Sequence, residues 1–249
     1  MRRYGLIGHP LSHSFSPGYF ADKFAREGIA DASYEPFELP DLAALPDLLR
    51  TDDLWGLNVT IPHKEGVKPH LDALDVSAER VGAVNVLARR DAPDGTRRWT
   101  GHNTDYWGFR TSLERFLPNG FAGAALILGT GGAARAVRAV LDDLDVPFGE
   151  VSRTPERKAH AYEELTPELM RAHRLIVNTT PLGMYPNVDT APRLPYGALT
   201  PEHYLYDLVY NPAETRFMTL GRAAGAQTKN GLEMLHLQAE RSWFIWTNA

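Results

Sequence analysis

The chain has 249 residues, of which 43% are hydrophobic and 23% charged, a formal net charge of −5 and no cysteine. That length and balance describe an ordinary globular protein of one large domain or two small ones. Lys and Arg scattered under a net negative charge leave no field for nucleic acid or an anionic membrane, and the missing cysteines exclude thiol catalysis, thiolate metal sites and disulfides.

In chain order, the start Met1 to Pro10 breaks with Gly and Pro before a signal-peptide apolar region can develop, and no later run is long enough to span a membrane, so a cytoplasmic location is expected. Tyr4 to Ile7 reads as a first strand. Leu11 to Pro17 is a hydroxyl-rich loop feeding a helix, with Ser16 as N-cap, Pro17 at the first helical position, Phe20 and Phe24 on one face and Gly28 as the stop. Read locally, Ser14 and Ser16 either cap backbone amides or form a carboxylate seat at a helix N-terminus. An alternating strand from Tyr34 to Leu39 and a short helix from Asp41 to Leu49 follow. Trp55 to Lys64 is a strand ending at Pro62, which gathers Asn58, Thr60 and Lys64 near a strand end; a lone lysine there is ordinarily solvated. The strand Ala83 to Leu87 carries Asn85 inside an apolar run, and a buried amide needs partners, supplied by a ligand or by a neighbouring loop. Gly101 to Asp105 leads into a helix through Phe109, Leu113 and Phe116, with Asp105 a capping or first-turn carboxylate on local grounds.

The midpoint carries the sharpest signal. Ala125 to Leu128 is a short buried strand, Gly129-Thr130-Gly131-Gly132 a tight turn, and Ala133 onward a helix with Ala136, Val137, Val140 and Leu141 apolar. This sequence of elements is a phosphate cradle: Gly129 lets the chain reverse, Gly131 lets a pyrophosphate approach the backbone, Ala134 stands where the dinucleotide fingerprint takes a third small residue, and the helix start faces the phosphates. About twenty residues on, an NAD-binding domain places an acid at the tip of its second strand. Glu150 falls inside the strand, and the tip is Ser152-Arg153-Thr154. Arg153 and Thr154, with Arg157 and Lys158 a turn later, complement a 2′-phosphate and point to NADP; the alternative is a solvated loop with helix-start residues. The same tip speaks against an S-adenosylmethionine-binding methyltransferase. Leu175 to Val177 and Leu205 to Leu208 read as further strands.

The chain resembles the shikimate dehydrogenase family over nearly its whole length. The matching motifs are Ser-x-Ser-Pro at Ser14 to Pro17, Asn-Val-Thr-x-Pro-x-Lys at Asn58 to Lys64, Gly-Ala-Val-Asn at Gly82 to Asn85 and Asn-Thr-Asp at Asn103 to Asp105. They continue with Gly-x-Gly-Gly-Ala at Gly129 to Ala133, Asn-Thr-Thr-Pro-Leu-Gly-Met at Asn178 to Met184, Tyr-Asp-Leu-x-Tyr at Tyr206 to Tyr210, and Met234, Leu235 and Gln238 in the closing helix. It departs from the family at Tyr19-Phe20, where a His-Asn pair is common, at Ser152, usually Asn, and at Glu233, usually small.

The resemblance implies an α/β architecture: an N-terminal α/β substrate domain over residues 1–102, completed by a C-terminal helix at 231–249, and a Rossmann-type doubly wound dinucleotide-binding domain over 103–230. Leu232, Leu235, Ala239, Trp243 and Trp246 are expected on the apolar face of that last helix, the tryptophans as core rather than as substrate readers. It implies interconversion of 3-dehydroshikimate and shikimate with NADP, by a monomer or homodimer acting on a small molecule without nucleic acid, membrane or metal. Lys64 and Asp105 become the catalytic pair. Ser14 and Ser16 face the substrate carboxylate with Tyr210 adding a hydroxyl, and Thr60, Asn85 and Gln238 face the ring hydroxyls. Thr179, Met184 and Gly231 join the cofactor set, with the loop from Thr179 to Pro186 on the nicotinamide side. An NAD-dependent quinate/shikimate dehydrogenase and a non-catalytic shikimate-binding sensor of the same fold are the alternatives; the presence of both Lys64 and Asp105 disfavours the sensor.

Overall fold

The computed structural model describes residues 1–12, 14–154 and 159–248. The chain folds as two compact units, Met1–Thr104 with Ala239–Ala249, and Asp105–Gln238. Among the described residues no helix is long and apolar enough to cross a membrane.

The first unit contains, in order, β1 (Arg2–Gly8), α1 (Ser16–Glu27), β2 (Ala32–Glu38), α2 (Leu45–Leu49), β3 (Leu54–Val59), β4 (Ala73–Leu74), α3 (Val76–Val81), β5 (Val86–Asp91) and β6 (Arg97–His102). The strands form one sheet in the order β2-β1-β3-β5-β6-β4. Strands β1, β2 and β3 run parallel, while β5 is antiparallel to both β3 and β6. Period-two alternation splits the side chains between two cores. Ile7 and Leu87 pack with Leu45, Leu57 and Trp99 on one face; Tyr4, Val86 and Ala88 pack with Phe20, Phe24, Ala239 and Trp246 on the other. The indole N–H of Trp246 donates to Leu87 O at 3.0 Å and its ring stacks on Tyr4 at 5.0 Å between centroids.

The structure corrects three local expectations. Helix α1 begins at Ser16 itself, and Phe15, which has no side-chain acceptor, occupies the capping position with helical dihedrals, so no side chain caps it; the Ser16 hydroxyl interacts with Tyr34. Helix α2 is five residues long rather than spanning Asp41 to Leu49. Pro46 has no N–H to give to a carbonyl four residues earlier, so it fits only in a first turn, and Asp41 closes a separate turn by accepting from Ala43 N at 2.9 Å. Asn85 stands one residue before β5 rather than within a strand.

The second unit contains α4 (Thr104–Phe116), whose first residue belongs to the first unit, then β7 (Ala125–Leu128), α5 (Gly132–Asp143), β8 (Phe148–Ser152), β9 (His160–Ala161), α6 (Pro167–Ala172), β10 (Leu175–Asn178), β11 (Tyr204–Asp207), α7 (Arg216–Ala223) and β12 (Gln227–Lys229). Helix α8 (Leu232–Thr247) follows, its residues from Ala239 onward belonging to the first unit. The sheet order is β12-β11-β10-β7-β8-β9 with every pair parallel. Numbered within the unit this is 6-5-4-1-2-3, the doubly wound dinucleotide-binding order, whose strand order reverses between β7 and β10. Both faces are covered, which is why the strands read as continuous apolar runs: Ala125 and Ile127 pack with Phe109, Val137 and Tyr206, and Leu126 and Leu128 with Met170, Leu205 and Phe217. Leu232, expected on the apolar face of the last helix, is exposed instead, and Leu235 is half-buried while Ala239 and Trp246 are buried.

Candidate functional site

In the second unit, the reversal of strand order opens a crevice at the carboxyl ends of β7, β8 and β10. A cavity of about 340 Å³ lies there, lined after β7 by Gly129, Thr130 and Gly131, after β8 by Ser152, Arg153 and Thr154, and after β10 by Thr179 to Leu182, with Val151 and Tyr162 completing it. Backbone contacts lace the three loops together. Gly129 N donates to Val151 O at 2.8 Å, and Leu128 O accepts from both Thr179 N at 3.0 Å and Thr179 Oγ1 at 2.7 Å. Gly129 sits at φ +104°, and a Cβ there would stand 2.8 Å from Thr179 Oγ1, so both conformation and space require glycine.

The cavity fits a dinucleotide. At the start of α5, a Cβ on Gly131 or Gly132 would meet no atom within 4 Å, so the backbone there faces open space. The first turn of a helix, here Gly132 and Ala133 onward, carries N–H groups without intrahelical partners and the positive end of the dipole, which suits a pyrophosphate. Arg153 and Thr154 are exposed and offer a guanidinium and a hydroxyl to a further phosphate. The Ser152 hydroxyl is held in the turn, 3.2 Å from both N and O of Thr154. Glu150, an acid near the point where an NAD site places one, is paired in register with Ile127 inside the sheet and ion-paired to Arg138 at 3.0 Å. Arg157 and Lys158, named with the 2′-phosphate set, lie outside the described residues.

Met184 and Gly231 are not among the cavity-lining residues. Met184 is 46% exposed on the loop after β10. Gly231 is buried, and a Cβ on it would lie 2.2 Å from Leu208 O; its local role is to let two backbone segments touch. Sequence reasoning missed Tyr162 and singled out neither Thr180 nor Leu182. Tyr162 follows a two-residue strand in a short turn with no periodicity to mark it, and burial raises its phenol pKa while Arg153 opposes the rise.

In the first unit, strand direction gathers the remaining candidates at one edge. Ser14 and Ser16 follow the carboxyl end of β1, Thr60 and Lys64 follow that of β3, and Asn85 precedes the antiparallel β5. Thr60 N donates to Ile7 O at 2.9 Å, Val84 N to Lys64 O at 2.7 Å, and Val59 N to Asn85 O at 2.8 Å, which fixes these loops side by side. A neutral chain of side chains runs behind them. Tyr34, bonded to Ser16, donates to Asn58 Oδ1 at 2.8 Å, and Asn58 Nδ2 donates to Ser242 Oγ at 3.1 Å. Ser242 Oγ is 3.3 Å from Thr104 Oγ1. Asn85 Oδ1 accepts from Thr104 N at 2.7 Å, and its Nδ2 donates to Thr104 Oγ1 at 3.1 Å. The Asn85 amide thus pins the start of α4, the loop-holding one of its two local readings.

Asp105 is a first-turn residue of α4. Tyr210 is half-buried, and burial raises its pKa. Gln238 is buried, donating from Nε2 to Leu235 O at 2.9 Å, and its backbone backs onto Gly108, where a Cβ would be 3.2 Å from Gln238 N.

Comparison with known proteins bears on the whole chain. The family described as "Shikimate dehydrogenase substrate binding domain" matches residues 6–87. A "Shikimate dehydrogenase (NADP(+))" of Moorella thermoacetica is 39% identical over 97% of this chain and 86% of its own. Among solved structures, the shikimate 5-dehydrogenase of Thermus thermophilus in complex with NADP(H) and shikimate is 35% identical with a TM-score of 0.83, covering 100% of this chain and 94% of that one. The ligand-free 5-ketofructose reductase of Gluconobacter sp. strain CHM43 is 28% identical with a TM-score of 0.84, covering 100% and 93%. With a relative at 39% identity aligned over 97% of its residues, the chain belongs to the shikimate dehydrogenase family.

Proposed function

We propose that the chain is an NADP-dependent oxidoreductase that interconverts 3-dehydroshikimate and shikimate. The observation that carries this reading is the convergence of the glycine turn, Arg153 with Thr154, and the Thr179 to Leu182 loop on one cavity, in a chain of this family. NADPH supplies the hydride when bound. The protein's own task is to bind both molecules, orient the ring and move a proton to and from the ring oxygen. Lys64 donates a proton or hydrogen bond to the developing alkoxide, while Asp105 orients it and holds a substrate hydroxyl. Ser14, Ser16 and Tyr210 receive the carboxylate, and Thr60, Asn85 and Gln238 the ring hydroxyls. For the cofactor, Gly129 to Ala133 receive the pyrophosphate, Ser152, Arg153, Thr154 and Arg157 the adenosine side, and Thr179, Met184 and Gly231 the nicotinamide side. A fold without cysteine suits a reducing compartment, and we assign the enzyme to the cytoplasm, as a monomer or homodimer.

An absorbance assay at the nicotinamide band, crossing shikimate and quinate with NADP and NAD, tests the reading. Turnover is expected with shikimate and NADP; activity confined to quinate and NAD would overturn it. In the same assay Lys64→Ala should lower turnover by about 10²–10⁴-fold with the fold intact. Arg153→Ala, which removes a charge-assisted contact of roughly 1.5–3 kcal/mol, should raise the Michaelis constant for NADP by about 10–150-fold and leave that for NAD nearly unchanged. An Arg153→Ala enzyme that loses both cofactors equally would show that Arg153 does not read the 2′-phosphate.

A further inference from the structure

Behind the cofactor cavity lies a carboxylate with no part in the proposed chemistry. Asp207 is the last residue of β11 and is fully buried. In the parallel ladder it stands opposite Asn178, the last residue of β10. Three donors converge on it: Asn178 Nδ2 at 2.9 Å and Val209 N at 3.0 Å reach Oδ1, and Thr215 Oγ1 at 2.6 Å reaches Oδ2. Asn178 turns its other end toward the cavity loop, where Oδ1 accepts from Thr180 N at 3.1 Å and Thr180 Oγ1 at 2.6 Å, while Nδ2 also reaches Leu182 O at 3.4 Å. Thr180 and Leu182 line the cavity. Thr215 caps α7 by accepting from Met218 N.

An amide can face two ways, and its orientation decides what the loop meets. With Asp207 as an acceptor, Asn178 must present Nδ2 to it and Oδ1 to Thr180. The reverse orientation would set Oδ1 against a carboxylate and Nδ2 against the Thr180 N–H, leaving both unsatisfied in a buried site. One carboxylate therefore fixes one amide, and that amide fixes the loop. We propose that Asp207 is a positioning residue for the cofactor: through Asn178 it holds the Thr179 to Leu182 loop in its cavity-lining shape, and through Val209 and Thr215 it ties that loop to the segment preceding α7. The cofactor side of this proposal rests on the function proposed above.

Burial acts on the same carboxylate. Burial pushes the Asp207 carboxyl up to about 6, against the hydrogen bonds from Thr215, Val209 and Asn178 that favour its charged form. Its hydrogen-bond donors among the described residues are all neutral. The Tyr196 phenol feels its charge from a neighbouring element; it donates to Pro192 O at 2.9 Å and also feels Arg216 at the start of α7. Below about pH 6 a protonated Asp207 loses the charge that strengthens its three hydrogen bonds, and the hold on Asn178 weakens.

Two measurements test this. In the ligand-free wild-type protein, amide exchange at Thr180 and Leu182, corrected for intrinsic rates and referred to the amides of β7, should accelerate as pH falls from 8 to 5 with a midpoint near 6. In Asp207→Asn at pH 7.5 the same amides should exchange several-fold faster with no further pH step, and the Kd for NADP should rise about 3–10-fold, the loss of one ordinary hydrogen bond, with kcat at saturation much less affected. A flat exchange profile in the wild type, or an unchanged Kd in a folded variant, overturns the proposal. The wild-type profile decides the loop arm even if the variant fails to fold. A wild-type protein without saturable NADP binding would instead sink the cofactor reading and, with it, the cofactor role of Asp207, while the exchange profile still reports its hold on the loop.

Discussion

The two units build their candidate sites from different material. At the edge of the first sheet a chain of neutral side chains satisfies itself, from Ser16 through Tyr34, Asn58, Ser242 and Thr104 to Asn85, beside Lys64 and the His102–Asp75 pair. At the edge of the second sheet three loops at parallel strand ends enclose a cavity lined by glycines, hydroxyls, Arg153 and Tyr162, and the buried carboxylate of Asp207 stands behind it. The difference teaches where substitution is felt. In the first unit a polar side chain is part of the fold, so its removal costs stability wherever the protein is assayed. In the second, glycine either lets backbones touch or exposes them to open space, and the carboxylates of Asp207 and Glu233 make the response depend on pH.

The largest effect should come from the glycine that lets backbones touch. Gly231→Ala places a methyl group 2.2 Å from Leu208 O and 2.8 Å from Leu208 C, neither of which can rotate away, and should cost about 3 kcal/mol in denaturant unfolding. A midpoint equal to that of the wild type would mean the two segments have slack that the contact does not suggest. Next, Asn85→Ala strands the buried Thr104 N–H, now 2.7 Å from Asn85 Oδ1, and should cost about 1–3 kcal/mol with little dependence on pH. A cost that varied strongly across pH 5–8 would show that the amide's hold on Thr104 is coupled to a charged neighbour.

Two carboxylates of the second unit should give pH responses of opposite sign. Glu233 is held down to about 2 by Lys229, Arg115 and Ser112 against the opposing effect of burial, with Lys229 Nζ at 2.5 Å and Arg115 Nη1 at 2.8 Å. Its native pKa lies below the ordinary 4.5, so its stabilisation is complete above about 4.5 and disappears as pH falls toward 2. Asp207 has the opposite sign: raised from 3.8 to about 6, it favours the native state most when protonated, and that contribution declines as pH rises through the interval between those values. Urea midpoints of Glu233→Gln and Asp207→Asn followed against pH should therefore diverge from the wild type in opposite directions, and parallel curves would refute the assignment. The smallest effect on stability should be that of Gly131→Ala, whose methyl group meets open space. Its unfolding free energy should fall by no more than about 1 kcal/mol, the cost of alanine as a poorer N-cap, while NADP binding weakens; a larger loss of stability would show that the cradle is packed rather than open.

Much of the molecule is legible in the chain because it depends on neighbours in sequence. The strand from Ala125 to Leu128, the turn at Gly129 and the helix from Gly132 follow from an apolar run, a required positive φ and an alanine-rich continuation. What stays hidden depends on register or on distant partners. Asp207 lies within a recognisable motif, yet its task exists only because β11 pairs with β10 so that it meets Asn178 across 29 residues. Local pattern makes the Ser16 hydroxyl a cap for its own helix, but Tyr34 engages it, on a strand whose distance from α1 no local pattern reports. The length of α2 misleads for a different reason: apolar spacing extends it to Asp41, while the missing N–H of Pro46 sets its true start.

The last helix bears on the order in which the molecule is made. The second core of the first unit joins Tyr4, Phe20 and Phe24 to Ala239 and Trp246, and the Trp246 indole sits 2.2 Å from where a Cβ on Gly56 would be. As the chain leaves the ribosome, the first hundred or so residues emerge without the aromatic plug that closes their sheet, whereas Asp105–Gln238 is complete before α8 ends. The earliest part of the protein to be translated is thus the last able to finish folding, since its second core stays open until Trp246 appears.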